Sequence, residues 1–334
     1  MSTTVPSGPV VAHGGCRTGP RPSAPSTVDA AVARRLAPAP PDPDVLALLD
    51  TLSRDAFVAD LQTLAEHPTR RSDSAGFDDA ARWVAQQLDQ AGYVVSTQPV
   101  PRGGGRCRNV LGDRPGGAPE PRAVSTEEPP PGGVGSSDIR GVVLVTAHLD
   151  SINLAGPAEP APGADDNASG SAGVLALARA LADHPAALDL RVILFGGEEE
   201  GLFGSLTYVT ALPAAERARI RAVVNMDMIG GRNTPEPGVL LEGAAVSQDV
   251  LDGLARAAAT YTDLVVQVSL HPFNSDHVPF IDAGLPAVLT IEAADGTNPR
   301  PHTADDTVAS VDPDLAMAIL RMNLAYLVEV LGRV

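Results

Sequence analysis

The sequence predicts an α/β fold: a mixed, mostly parallel central sheet sandwiched by helices on both faces. Three observations lead there. From residue 140 onward, strand-like apolar runs alternate with helical patterns, the signature of crossover-connected strands under helical layers. The chain has 334 residues, of which 44% are hydrophobic, enough for one sizeable core. Neither an internal repeat nor a second core-sized unit interrupts the alternation, so residues 44–334 are expected to form a single domain.

In chain order, residues 1–43 are rich in Pro, Ala, Ser and Gly without a sustained period, which predicts a disordered tail. From Asp44, "DVLALLDTLSRDAFVADLQTLAEH" carries Leu, Phe and Val at helical spacing. A second helix is read in "FDDAARWVAQQLDQAG", with acids in its first turn and Gly92 as its stop. "YVVSTQPV" alternates like a strand and "RNVLG" is a short one. A Pro/Gly-rich loop of unusual length follows at 113–137. Further strands are expected at "RGVVLVTA", "LRVILFG", "IRAVVNM", "LVVQVS" and "PAVLTI". Helices are expected over Asn167–Ala182, after Gly201, over Gln248–Thr260 and over Asp312–Leu331.

The net charge of −17 argues against binding nucleic acid or anionic membranes and fits a protein that handles cations. All 24 basic residues are arginine. Two cysteines, Cys16 and Cys107, are too few for a disulfide framework or a Cys-based metal site. No apolar run approaches the roughly 18 residues of a membrane span. The start shows no secretory signal, so the expectation is a cytoplasmic protein as the sequence stands; a misassigned start codon would reopen export.

In sheets of this kind ligands bind at the carboxyl ends of the strands. The polar residues that follow the apolar runs are therefore informative. His148 and Asp150 come after "GVVLVTA", Glu198, Glu199 and Glu200 after "RVILFGG", and Asp227 after "RAVVNM". "PGADDNASG" adds Asp165 and Asp166, and "RPHTADDT" adds His302. Each has an ordinary reading: a histidine at a strand end is more often a packing residue, an Asp-Asp-Asn run a turn and helix cap, three glutamates a solvated helix start. Their joint placement on one edge favours a metal site, and nitrogen and oxygen donors without thiolate suit Zn, Mn or Co.

Together, "AHLDS", "APGADDNASGSAGVLALA", "FGGEEEGLFGSLTYV", "VNMDMIG", "SDHVPFIDAGLPA" and "PHTADDT" resemble the M28 family of co-catalytic zinc peptidases over about Val142–Thr307. The resemblance implies a phosphorylase/hydrolase-like zinc peptidase fold and two divalent ions, zinc in this family. By position it makes His148, Asp165, Glu199, Asp227 and His302 the metal ligands, with Asp165 bridging. Glu198 becomes the general base and Asp150 the carboxylate that orients His148; Asp276 of "SDH" is assigned to pocket support.

The implied reaction is hydrolysis of the N-terminal peptide bond of short peptides, the substrate being a peptide with a free N-terminus. Other readings stay open: an M20-type carboxypeptidase or N-acyl-amino-acid amidohydrolase, a glutaminyl-cyclase-like acyl transferase, and a metal-binding protein without turnover. Family members often carry Tyr before the last histidine as an oxyanion donor; here that residue is Pro301. Tyr208, Tyr261 and His271 are the candidate replacements. Glu200 is expected to face outward and to be freely replaceable. The oligomeric state is not legible.

Overall fold

Among the residues that the computed structural model describes, 38–117 and 140–333, eight runs form the strands of one sheet. They are β1 (Val94–Pro99), β2 (Arg108–Arg114), β3 (Val142–His148), β4 (Asp189–Phe195), β5 (Ile220–Met226), β6 (Gly238–Glu242), β7 (Val265–Ser269) and β8 (Ala287–Glu292). Their order is β1-β2-β4-β3-β5-β8-β6-β7. The centre, β4-β3-β5-β8, is parallel, whereas β1, β2 and β6 join it through antiparallel pairs. The mixed, mostly parallel sheet is thus as expected. Residues 1–37 of the expected tail and 118–137 of the expected long loop lie outside the described residues.

Nine α-helices are found among the described residues: α1 (Pro43–Leu49), α2 (Arg54–Ala65), α3 (Ala75–Gln90), α4 (Gly170–Leu181), α5 (Phe203–Ala211), α6 (Ala214–Arg219), α7 (Gln248–Tyr261), α8 (His277–Asp282) and α9 (Pro313–Leu331). The helical pattern from Asp44 is two helices, not one. The Ser53 side chain accepts the Ala56 N–H and starts α2 afresh.

The alternation of side chains along each strand sorts the core into two layers. Val143, Val145 and Ala147 of β3 join the larger layer with α1–α4, α7 and α9. Val142 and Leu144 face the smaller layer with α5 and α8. There the rings of Phe195, Tyr208 and Phe280 lie 6.0–6.2 Å apart in tilted contact. Being covered on both faces, β3 is buried along its whole length, as its unbroken apolar run requires.

This topology sets the place for chemistry. The connection from β3 runs to β4 on one side, and the chain then returns to β5 on the other. The crevice outside the carboxyl ends of β3 and β5 is the switch point where such sheets bind ligands. No helix of the described residues is long and apolar enough to cross a membrane.

Candidate metal centre

His148 is the last residue of β3, and Asp227 directly follows β5. Gly196 and Gly197 separate the end of β4 from Glu198 and Glu199. Gly197 has φ +74°, a left-handed conformation that turns the chain sharply and brings both glutamates back over the sheet edge. The Asp165–Asp166 pair lies in a wide π-type turn, Ala164–Ser169, that feeds α4. His302 sits between β8 and α9 with φ +61°, a conformation uncommon for a residue with a Cβ.

These elements bring six side chains together. His148 Nε2 is 3.1 Å from Asp227 Oδ1 and 3.3 Å from Asp166 Oδ1. His302 Nε2 is 3.0 Å from Asp166 Oδ2 and 2.8 Å from Glu199 Oε2. Two three-residue groups result, His148–Asp166–Asp227 and Asp166–Glu199–His302, and they share Asp166. Glu198 belongs to neither; its Oε2 is 4.0 Å from His148 Nε2.

The structure corrects the bridging assignment. Asp166 lies between the two histidines, and Asp165 does not. Asp165 Oδ1 accepts the Gly230 N–H at 2.9 Å, and its Oδ2 accepts the Asn298 amide at 3.1 Å. Both backbone N–H groups of the pair donate to Asp306, at 2.8 and 3.0 Å, which fixes the turn so that the two carboxylates diverge. Neighbouring residues of one type are interchangeable in sequence; the path of the backbone separates them.

Two further expectations change in detail. Asp150 does act on His148, but through its backbone carbonyl, 3.1 Å from Nδ1; its carboxylate is 3.8 Å away. That contact suits an Nδ1–H tautomer with a free Nε2 lone pair on the site side. The Asp150 carboxylate instead accepts the N–H groups of Glu198 and Glu199, each at 3.2 Å, and so holds the glutamate pair. Glu200 does not face freely outward: it accepts a hydrogen bond from Ser72, and Arg102 lies 3.6 Å away.

Asp276 is fully buried outside both groups. Burial, opposed by His148 and reinforced by Asp150 and Asp227, pushes its carboxyl up to about 7. Its neighbour Ser275 donates to Asp227 Oδ2 at 2.7 Å and accepts from Asn225, which accepts from Thr146. Two of the suggested oxyanion donors stand elsewhere. Tyr208 is bound by Arg191 at 3.0 Å within the smaller core layer, and the Tyr261 hydroxyl accepts the Asp42 N–H. His271 is exposed.

Sequence reasoning missed Arg70, Asp306, Asn298 and Glu292. Arg70 is fully buried and donates to four carbonyls, those of Leu64, Leu149, Pro162 and Gly163. It thereby joins the end of β3 to the approach to Asp165. The only hints in the sequence are charged residues within apolar or turn surroundings, "TRRSD" and "TADDT", which read equally well as surface.

The donor chemistry fits divalent cations. Four carboxylates and two histidines crowd one buried edge, and burying anions without compensation is costly. With only protons to compensate them, burial alone would lower the His302 pKa, yet Glu199 and Asp166 push it up to about 12. His148 is likewise raised against burial by Asp227 and Glu198. Burial and the Asp166 charge push Glu199 up to about 8. Glu199 Oε1 is buried without a hydrogen-bond partner among the described residues, an acceptor that a cation would satisfy.

Comparison with known proteins gives the family. The sequence profile of Peptidase family M28 matches residues 133–327. Leupeptin-inactivating enzyme 1 of Streptomyces exfoliatus is 31% identical over 282 residues, covering 82% of this chain and 55% of its own length. A probable leucine aminopeptidase of Arthroderma benhamiae is 32% identical over 282 residues, covering 81% of this chain and 71% of its own. The crystal structure of the Legionella pneumophila LapA aminopeptidase superposes with a TM-score of 0.71 at 21% identity, over 87% of this chain and 75% of that one; at this identity it speaks for the fold alone. The chain belongs to peptidase family M28, a family of peptide-bond hydrolases.

Proposed function

We propose that the protein is a metal-dependent aminopeptidase that removes the N-terminal residue of short peptides, with Glu198 as its general base. One observation carries this reading: the two oxygens of Asp166 each meet a different histidine, dividing the site into two ligand groups that share one carboxylate. His148, Asp166 and Asp227 would hold one divalent ion, and Asp166, Glu199 and His302 the other. When bound, such ions polarise the scissile carbonyl and acidify water. Zinc is the metal named for relatives of this family.

The remaining work falls to the chain. Glu198 is buried, lies outside both ligand groups, and is within 4.0 Å of His148. Burial, with Asp227, Glu199 and Asp276 nearby and His148 opposing, holds its carboxyl well above the ordinary range. In its ionised form, which cations bound beside it would favour, this carboxylate would take a proton from the attacking water and pass it to the leaving amine. Asp150 keeps Glu198 in place through the backbone, and Ser275 orients Asp227.

A panel of aminoacyl-p-nitroanilides, run beside N-acylated and C-terminal substrates with metal counted by ICP-MS, tests the reading. Cleavage of the free-amine substrates with two metals per chain is expected. The Glu198→Ala variant should keep both metals and lose most turnover, and Asp166→Ala should lose metal. Preference for N-acylated or C-terminal substrates would overturn the aminopeptidase reading, and unimpaired turnover in Glu198→Ala would remove the assigned base.

A further inference from the structure

Behind the bridging carboxylate lies a second acidic pair that the proposed reaction does not use. Asp165 and Glu292, the last residue of β8, are both buried and interact directly, and the Asn298 amide bonds to both. Its Nδ2 donates to Asp165 Oδ2 at 3.1 Å and to Glu292 Oε1 at 3.0 Å, so both amide hydrogens are used on carboxylates. The other ends of the pair are held by successive backbone N–H groups, Gly230 to Asp165 and Gly231 to Glu292.

Asn298 also governs the loop that carries His302. Its Oδ1 accepts the Arg300 N–H at 3.2 Å, and the Arg300 carbonyl in turn accepts the Thr303 N–H at 3.1 Å. The Leu154 N–H holds the His302 carbonyl at 3.0 Å. His302 needs such restraint, because its left-handed conformation persists only where the surroundings over-determine it. On the far side, Asp165 immediately precedes Asp166, the carboxylate that His302 meets. One amide therefore links the two chain segments that face each other across the Glu199–His302 group. None of its hydrogen bonds goes to His148 or Asp227.

We propose that Asn298 is a positioning residue that clamps the His302 loop to the Asp165–Asp166 turn and thereby sets the affinity of the Asp166–Glu199–His302 metal position, leaving the His148–Asp166–Asp227 position nearly unchanged. The inference rests on the two-metal reading above. Loss of an outer hydrogen bond that orients a metal ligand typically costs 10–100-fold in affinity, and Asn298 acts in this way through Asp165 and Arg300, without touching a ligand itself. Here that loss falls on one step of two.

The test is calorimetric titration of Zn2+ into metal-stripped protein, with thermal unfolding followed in parallel. Asn298→Ala should weaken one binding step roughly 10–100-fold and leave the other within about threefold, and the retained step should match the single step that remains in His302→Ala. Asn298→Asp keeps the size and the Arg300 contact but replaces the donor that faces two carboxylates with an acceptor, and should show the same selective loss. Asn233→Ala removes an amide that touches Glu292 but not Asp165, and should leave both steps intact. Equal weakening of both steps, or a lowered unfolding temperature with both affinities unchanged, would overturn the clamp while sparing the two-metal reading. A single step in the unaltered protein would overturn both.

Discussion

Replacing Arg70 is the most demanding test of how the site is held together. The guanidinium is fully buried, and its four hydrogen bonds go to backbone carbonyls on three separate stretches: Leu64 at the end of α2, Leu149 beyond β3, and Pro162–Gly163 before the aspartate turn. Two of these stretches carry His148 and Asp166. Arg70→Met keeps the apolar stem and removes the donors, leaving three buried carbonyls and the half-buried one of Pro162 without this partner. It also removes a cation from the neighbourhood of Asp306, Asp150, Asp166 and Glu199; burial lowers its pKa to about 10, so it stays charged at neutral pH.

Hydrogen bonds to charged groups contribute about 1.5–3 kcal/mol each. The bonds here partly compensate the desolvation of the guanidinium, so the net loss should resemble that of breaking a buried pair, about 3–5 kcal/mol. At roughly 2–4 °C per kcal/mol for chains of 150–250 residues, the unfolding midpoint should fall on the order of 10 °C. Calorimetry of the metal-free protein, with Zn2+ titration of the same samples, measures both consequences. Both metal steps should weaken, since Arg70 braces the segments on either side of Asp166. Arg70→Lys retains the charge without the planar fork and should fall between. A midpoint shift below about 2 °C with unchanged metal affinities would refute the bracing role.

Two further outcomes follow from the same geometry. Burial, its largest influence, raises the Glu292 carboxyl from 4.5 to about 7 against hydrogen bonds from Asp165, Asn233, Asn298 and Gly231. Over that window the folded chain holds more protons than the unfolded one, so this stabilisation is complete below about pH 4.5 and is lost as the pH rises through about 7. Urea unfolding of metal-free protein should therefore show a smaller decline in stability over this window in Glu292→Gln; an unchanged slope would contradict it. In Gly196→Ala the new Cβ would lie 2.6 Å from Phe77 Cζ and 2.8 Å from the Arg108 carbonyl oxygen. The displaced turn carries Glu198 and Glu199, so a cost of about 1–3 kcal/mol should come with loss of bound metal, read by unfolding and ICP-MS; full metal content would count against it.

Much of the architecture was legible because it depends on local pattern. The continuous apolar run Val142–Ala147 needs cover on both faces, and the periodicity of Pro313–Leu331 gives a long helix whichever neighbours it meets. The short elements escaped notice. α8 is six residues long, too few to show a helical period, and the five residues of β6, inserted between β8 and β7, run Gly-Val-Leu-Leu-Glu without the alternation that marks the equally short β7. Ser53 divides a helical pattern that its apolar spacing alone would leave continuous.

The kind of site is legible without the fold: two histidines and several carboxylates at or beyond strand ends, without thiolates, on the edge where a parallel sheet opens. Strand direction and chain order are enough for that, because every parallel strand delivers its next residue to the same edge. Which member of each pair faces the centre depends on contacts made in three dimensions. Asp166 and not Asp165 meets both histidines, because Asp306 and Asn298 hold the turn in one orientation. Asp150 reaches His148 by its carbonyl because its carboxylate is taken by two backbone N–H groups. Arg70, 78 residues before His148, matters for the same reason. Hydrogen bonds between distant segments fix side-chain direction, and no local pattern encodes them.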